Sequence, residues 1–488
     1  MKIYITGLAS GYEVEHLVRL FYPMAPLTLT PPEAGEDCVW AERKPDGLLA
    51  LVREHGGQET VSAPLPGPDG ETEAFALASL TYDLLRRWTG IRPPWGKMTG
   101  VRPVRLIHDK RAAGWSEAEI DRFFLSRFDC SEQKYQMARA IADLQEPILR
   151  LGSEPKTYSL YIGIPFCPSR CSYCSFVSCN LDRDRKLVQP YVDCLCREVE
   201  EIRAQAEQAG LKLCSIYIGG GTPTSLSADQ LRQLMGTVRQ CFDLSCVVEY
   251  TVEAGRPDCT DAEKLRIIKK YGATRISINP QTFSDQVLQN IGRRHTAQDI
   301  IDCFAAARAA GHKNINMDLI AGLPGDTVEG FEASLRQAIA LDPENITVHT
   351  LTLKRASNIV VEHRAADYAD VAAMLGKCSL LADAGYRPYY MYRQKGTLQN
   401  LENIGWAKPG FECLYNIYIM EEVHTILSAG AGGSTKLVIP GQRRGKIERI
   451  FNFKYPTEYI DRFAELLDRK KAVEDFYARY TSQTFRQP

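Results

Sequence analysis

The stretch Tyr158-Ser159-Leu160-Tyr161-Ile162-Gly163-Ile164-Pro165-Phe166-Cys167-Pro168-Ser169-Arg170-Cys171-Ser172-Tyr173-Cys174 decides the fold. A β-prone run ends at Pro165, and a loop with three cysteines follows at once. The same kind of run recurs at Cys214–Ile218, Val247–Val252, Thr274–Ile278, Asn314–Ile320 and Ile346–Leu351. Helical periodicity fills the gaps, at Leu195–Glu207, Ala228–Gln240, Ala262–Tyr271, Gln298–Ala310 and Phe331–Leu341. Parallel strands need long crossovers, and helices supply them. The repeat therefore predicts an α/β core with a parallel sheet buried on both faces. A partial (β/α)6 TIM-like barrel and an open doubly wound sheet both satisfy the pattern. In either, ligands gather at the carboxyl ends of the strands, where the cysteines fall.

The flanks read differently. Residues 1–152 predict an α/β and helical domain, with strands at Lys2–Thr6 and Gly47–Arg53. Its helices are expected at Glu13–Leu20, Thr72–Thr89, Ser116–Arg127 and Ser131–Leu151. The Pro93–Pro103 segment reads as a rigid connector. Residues 153–385 form the core. Residues 386–488 predict a mostly helical cap, with one strong helix at Leu414–Leu427 and a charged amphipathic tail at Glu458–Tyr480.

At about 150 residues per domain, 488 residues make roughly three domains. Basic and acidic residues nearly cancel, at 59 and 60, which argues against a nucleic-acid binder. A hydrophobic content of 44% argues against disorder. No apolar run is long enough to span a bilayer, and the start is too polar for a signal peptide, so a cytoplasmic protein is expected.

Fifteen cysteines, an odd number scattered through strand and helix runs, do not suggest a disulfide framework. Three of them have ligand spacing. Cys167, Cys171 and Cys174 form C-x3-C-x2-C on one loop. Each could hold one iron of a [4Fe–4S] cube, leaving the fourth iron open to another molecule. The alternative is a structural zinc closed by Cys179, though no second cysteine pair supports it. Gly219-Gly220-Gly221-Thr222-Pro223-Thr224 follows the next strand, where glycines let the backbone approach a bound molecule. It is not a phosphate loop, since no Gly-Lys-Ser/Thr follows. Gly430-Ala431-Gly432-Gly433-Ser434-Thr435-Lys436 also lacks that order and reads as a close-packed turn.

Together these motifs resemble the radical S-adenosylmethionine (SAM) superfamily. More narrowly, they resemble the oxygen-independent coproporphyrinogen III dehydrogenase family. Glu253, Gln281-Thr282-Phe283, Gly292-Arg293-Arg294-His295 and Asn316–Gly325 carry the narrower likeness. Met98–Leu106 and Asn403–Gly410 resemble the HemZ-type subgroup. The resemblance implies Cys167, Cys171 and Cys174 as cluster ligands. It places Tyr161, Tyr173, Gly220, Gly221, Thr222, Glu253, Gln281, Arg293 and Asp318 at the SAM site, Tyr161 also at the site of chemistry. It implies a tetrapyrrole substrate and an electron donor such as flavodoxin or ferredoxin. The implied reaction is oxidative decarboxylation of coproporphyrinogen III to protoporphyrinogen IX by a 5′-deoxyadenosyl radical. One departure is visible: Phe176 stands where the dehydrogenases resembled carry a further cysteine, as in the related haem chaperones. Rival expectations are a haem-binding chaperone and a radical methyltransferase or ring-opening enzyme acting on haem. Arg170, Arg256, Arg294, Arg355 and Arg393 are candidate cations for propionates. His349 is expected to be hydrogen-bonded structure more than a haem ligand.

Overall fold

The computed structural model describes residues 1–67, 70–99, 102–152, 156–353, 370–394, 397–439 and 447–481. The chain divides into two compact units, one built mainly from Met1–Arg139 and the other from Ala140 onward. The division falls inside the helix Glu132–Gly152, a little before the boundary expected at 152.

The first unit holds strands β1 (Lys2–Thr6), β2 (Leu27–Thr28), β3 (Cys38–Lys44), β4 (Gly47–Glu54) and β5 (Gly57–Ala63), ordered β2-β1-β3-β4-β5. The helices Tyr12–Val18 and Glu73–Thr89 bury Val14, Leu17, Leu77 and Leu84 against Ile3, Val39 and Val52. Thr72 caps the longer helix, its hydroxyl accepting from the Phe75 N–H. The expected helix from Ser116 starts with a capping box to Glu119 and relaxes into a π turn over Arg122–Arg127. One helix was not expected: Pro103–Ala112, which uses Pro103 in its first turn, where a missing N–H costs nothing.

The second unit is organised by one sheet. Its parallel core is β6 (Thr157–Ile164), β9 (Lys212–Gly220), β10 (Glu249–Glu253), β11 (Arg275–Ser277), β12 (Ile315–Ala321) and β13 (Asn345–Thr350). Two short strands, β7 (Phe166–Cys167) and β8 (Cys179–Asn180), pair in the cysteine loop. All six expected core strands and their intervening helices form, with ends shifted by one to a few residues, apart from the helix Val188–Gln208, which starts seven residues before the expected Leu195. The chain thus has the expected α/β architecture.

Residues after Gly385 correct one part of the expectation. They are not mostly helical. They supply β14 (Arg387–Arg393), β15 (Glu402–Ala407), β16 (Thr425–Ala429), β17 (Ser434–Leu437) and β18 (Glu448–Phe451). The sheet then runs β14-β15-β13-β12-β11-β10-β9-β6-β16-β17-β18. The expected helix Leu414–Leu427 stops at Glu421, where Glu422 adopts a left-handed backbone (φ 53°), and the chain re-enters the sheet as β16. β16 lies parallel to β6, register Ser428 to Tyr161, and makes a seventh parallel strand. The tail is helical, as expected, in three pieces from Pro456 to Thr481.

Residue parity along the core strands separates two faces. Leu160, Ile162, Ile216, Ile218, Val252, Ile276, Met317, Leu319, Ile346 and Val348 form one buried apolar face. The other parity carries Ser159 and Tyr161, Ser215 and Tyr217, Glu249 and Glu253, Arg275 and Ser277, Asn316 and Asp318, Thr347 and His349. The register aligns them in rows: Tyr161, Tyr217, Thr251 and Arg275 in one, Glu253, Ser277, Asn316 and Asn345 in the next. The strands are therefore not uniformly apolar, as their composition suggested. They alternate, with a polar and aromatic inner face. Hydrogen bonds satisfy part of that face, Ser159 with Ser215 at 2.6 Å, Asn316 to Asp318 at 2.7 Å and Thr347 to Asn316 at 2.9 Å, while Thr251 Oγ1, Arg275 Nε and Nη2 and Asn345 Oδ1 are buried without a protein partner. Among the described residues, no helix is long and apolar enough to cross a membrane.

Candidate active site

The cysteine loop starts where β6 ends, because Pro165 cannot donate to the ladder. It is folded back on itself by backbone bonds: Cys174 N–H to Cys171 O at 3.1 Å, Ser172 N–H to Ile291 O at 3.0 Å and Cys179 N–H to Pro165 O at 2.7 Å. Each of the three cysteines has a polar group near its sulfur. The Thr222 hydroxyl is 3.5 Å from Cys167 Sγ. The Arg256 Nη1 is 3.8 Å from Cys171 Sγ. The Phe176 backbone N–H serves Cys174. Burial raises the thiol pKa of Cys167 and Cys174 above the ordinary value.

The glycine run lies on this loop. The Gly221 N–H donates to Ile164 O at 2.8 Å. A Cβ at Gly221 would fall 2.8 Å from Phe166 O and 2.9 Å from Cys167 Sγ. At Gly220, where φ is +111°, it would meet Ile164 N at 2.9 Å. The run is thus packed directly against the ligand loop.

Polar groups converge at the same strand ends. Arg293 donates to Asn279 O at 2.7 Å and to the Tyr173 hydroxyl at 3.3 Å. Its Nε, and Asn279 Oδ1, are buried without a protein partner. Glu253 accepts from the Tyr217 hydroxyl at 2.6 Å. Burial pushes its carboxyl up to about 7, and the nearby Asp318 adds to this, against the Tyr217 bond. Burial alone would raise Asp318 too, but His349, Asn316 and Arg275 hold it below the usual carboxylate range. Gln281 has a positive φ of 68°, unusual for a side-chain-bearing residue. That geometry lets its N–H reach Asp318 O at 2.8 Å while its C=O accepts from the Ile320 N–H at 2.9 Å. Tyr161 lies beside a stacked Tyr217–Tyr415 pair whose centroids are 4.6 Å apart, at 6.2 Å from the first ring and 6.3 Å from the second. His349 sits between Asp318 (3.7 Å) and the Tyr392 hydroxyl (3.3 Å), hydrogen-bonded structure as expected.

The candidate propionate cations fare differently. Arg256 spends all five N–H groups inside the protein: two on Asp258, and the rest on Ser169 O, Ser169 Oγ and Cys171 Sγ. Arg393 is buried, bonded to Met98 O and Asn400 O and lying over the Trp95 ring. Neither is offered to a ligand, which corrects the expectation for both. Arg294 forms an exposed pair with Asp182 at 3.0 Å. Arg170 is exposed and reaches Cys174 O at 3.5 Å. Arg355 lies outside the described residues. Sequence reasoning missed the Tyr217–Glu253 pair, Gly219, whose lack of a Cβ leaves room for Glu253, and the Asp258–His295 pair behind Arg256. The parity of the strands would have found the first.

The Gly430–Gly433 turn is close-packed, as expected. Gly430 has φ +96°, and a Cβ there would fall 2.4 Å from Gly163 O. Its N–H groups are spent internally, on Glu198, Tyr191, Phe453 O and Gly430 O, so no phosphate cradle exists. Glu198 is fully buried and also takes Lys470 at 2.8 Å, Tyr459 at 2.6 Å and Asn452 at 2.8 Å.

The donor set fits a cube in which each thiolate takes its own iron. A single zinc needs every thiolate about 2.3 Å from one point. Among the described residues, no three His, Cys, Asp or Glu side chains are so gathered. Cys179, the suggested fourth zinc ligand, is bonded instead to Asp184, and burial pushes its thiol up to about 11.

A three-cysteine loop after the first parallel strand, with a glycine run and convergent acceptors at the same end, defines a radical SAM site. The family model for the radical SAM superfamily matches residues 161–338. A Bacillus subtilis protein, oxygen-independent coproporphyrinogen-III oxidase-like protein HemZ, is 38% identical over 85% of this chain and 84% of its own. The heme chaperone HemW of the same organism is 34% identical over 63% of this chain and 76% of its own. The structure of coproporphyrinogen III oxidase (HemN) from Escherichia coli superposes with a TM-score of 0.52 at 24% identity, over 69% of this chain and 73% of that one. The chain belongs to the HemN/HemZ family of radical SAM proteins, whose cofactors are a [4Fe–4S] cluster and S-adenosylmethionine.

Proposed function

We propose that this protein removes two propionate carboxyls from coproporphyrinogen III, giving protoporphyrinogen IX in haem biosynthesis. The observation that carries the reading is the convergence of three thiols, Arg293, Tyr173, Glu253 and Asp318 at one end of the sheet, in a chain that matches an oxidase-like relative nearly end to end. When bound, the cluster and SAM supply one-electron hydrogen abstraction. Cys167, Cys171 and Cys174 would hold the cluster. Arg293 offers a buried guanidinium suited to a carboxylate, and Glu253 and Asp318 offer acceptors for an ammonium or ribose hydroxyls. Gly220 and Gly221 keep the backbone low beside the sulfurs. Each converted propionate gives up one hydrogen atom, which ends in 5′-deoxyadenosine, carbon dioxide, and one electron, which passes to a one-electron acceptor, leaving a vinyl group. A one-electron protein donor of the flavodoxin or ferredoxin class would feed the cluster, in the cytoplasm.

The test is anaerobic incubation with coproporphyrinogen III, SAM and a reductant. The product should be lighter by carbon dioxide and two hydrogens per propionate. Deuterium from the β-carbons should appear in 5′-deoxyadenosine. The similarity to heme chaperones and the exposed Phe176 favour a second reading, haem carriage. Haem binding with transfer to an acceptor protein, and no decarboxylation, would establish that one. A methylated or ring-opened haem would sink both.

A further inference from the structure

Arg256 follows β10 by three residues and is almost fully buried, with 4% of its side chain exposed. Its Nε and Nη2 grip both oxygens of Asp258, at 3.0 and 2.8 Å. The remaining donors go to Ser169 O and Ser169 Oγ, each at 2.9 Å, and to Cys171 Sγ at 3.8 Å. The His295 ring lies beside Asp258, 3.9 Å from Nδ1 to Oδ1. His295 belongs to the same turn as Arg293, whose carbonyl-bound guanidinium flanks Tyr173. The result is a fixed fork whose one sulfur-directed N–H cannot swing elsewhere without breaking a bidentate pair. Ser169 Oγ further donates to Gly292 O at 3.0 Å, so the cysteine loop, the Arg256 turn and the Arg293 turn are locked together.

We propose that Arg256, aimed by Asp258, is a positioning residue that sets the reduction potential of the bound cluster through its N–H···S bond to Cys171. Hydrogen bonds to ligand sulfurs withdraw electron density and favour the reduced cluster. The carboxylate at Asp258 neutralises the guanidinium, so the directed N–H, more than net charge, does the tuning. Reduction of the cluster is the entry step of radical SAM chemistry, which makes its potential a rate-setting property. The proposal rests on the cluster assignment and not on the choice of tetrapyrrole.

The experiment is a mediated redox titration of reconstituted protein without substrate, read by the paramagnetic signal of the reduced cluster. Iron and sulfide are counted on the same samples. Arg256→Met keeps side-chain length and removes every donor. It should hold a full iron complement and shift the midpoint negative by at least tenfold in reduced-to-oxidised ratio, about 59 mV for one electron. Asp258→Asn leaves Arg256 present but loosens its aim, and should shift the midpoint the same way by less. It also serves if Arg256→Met fails to fold. An unshifted midpoint in an iron-replete Asp258→Asn overturns the proposal, and so does a positive shift, which would show that the unmasked guanidinium charge and not the aimed N–H sets the potential. So does loss of iron from Asp258→Asn, which would make the pair a structural clamp. Wild-type protein that takes up no iron would instead refute the cluster assignment.

Discussion

Replacing Glu253 by Gln should make the protein's stability less dependent on pH. The carboxyl is largely enclosed, bonded to the Tyr217 hydroxyl, and its pKa rises from 4.5 to about 7 on folding. At 1.36 kcal/mol per pH unit, that is about 3 kcal/mol of penalty once the group is forced to ionise. The sign follows from proton counting. Below pH 4.5 both folded and unfolded chains carry the proton, and there is no penalty. Between 4.5 and about 7 the unfolded chain releases it first, so stability falls as pH rises. Above 7 the penalty is complete. It stands at about 1 kcal/mol at pH 5 and about 3 kcal/mol at pH 8. Glutamine cannot ionise, so the variant escapes this cost whatever constant offset the lost charge brings. Its stability relative to wild type should therefore grow by about 2 kcal/mol from pH 5 to pH 8. Urea midpoints of the cofactor-free proteins at four pH values measure this directly. A difference that stays flat across the range refutes the buried, proton-holding carboxyl. With cofactor added above pH 7, where the carboxyl is ionised, the same variant should bind SAM more weakly by calorimetry, because a charged acceptor is lost.

Alanine at Cys167, Cys171 or Cys174 should abolish cluster assembly, while Cys179→Ala should retain full iron, because that thiol is bonded to Asp184. Gly221→Ala should lower iron content along with SAM binding, since its Cβ falls 2.9 Å from the Cys167 sulfur; iron retained in full would mean the glycine run is freer than its packing. Lys470→Met strands the buried Glu198 carboxylate and should cost about 3–5 kcal/mol in denaturant unfolding. A loss under 1 kcal/mol there would show that Glu198 is satisfied by Tyr459, Asn452 and Gly430 alone.

The core was legible because two periods alternate cleanly, short β-branched runs against helical repeats, from Tyr158 to Leu351. The three cysteines stand out as a candidate cluster site because they lie within eight residues of one another in the chain. What failed has physical causes. Leu414–Leu427 holds no Gly or Pro to stop a helix, yet the helix ends at Glu421 and Glu422 turns left-handed, a residue that announces no turn. Only pairing with β6 makes the second half a strand. β3 and β5 were missed because their runs mix charge with apolar residues, although β3 is central, between β1 and β4, and only β5 lies at the sheet edge. The arginines were misjudged for another reason. Position near a strand end is readable from sequence, but whether a guanidinium faces a cavity or spends its donors at home is a tertiary fact. Arg256 is the example, since its carboxylate partner lies only two residues away.

The seventh parallel strand has a consequence for how the chain is made. β6 carries the cysteine loop, yet one of its neighbours is β16, which ends at Ala429. From Ile164 to Ala429 the ribosome must add 429 − 164 = 265 residues. At ~5–20 residues per second, that is roughly 13–53 s. For that interval one edge of the strand feeding the site has no native partner, and it offers its backbone to any passing chain. A nascent or truncated protein ending before Thr425 should therefore be captured by chaperones or aggregate. Stable cluster loading is then expected only once β16 has been made.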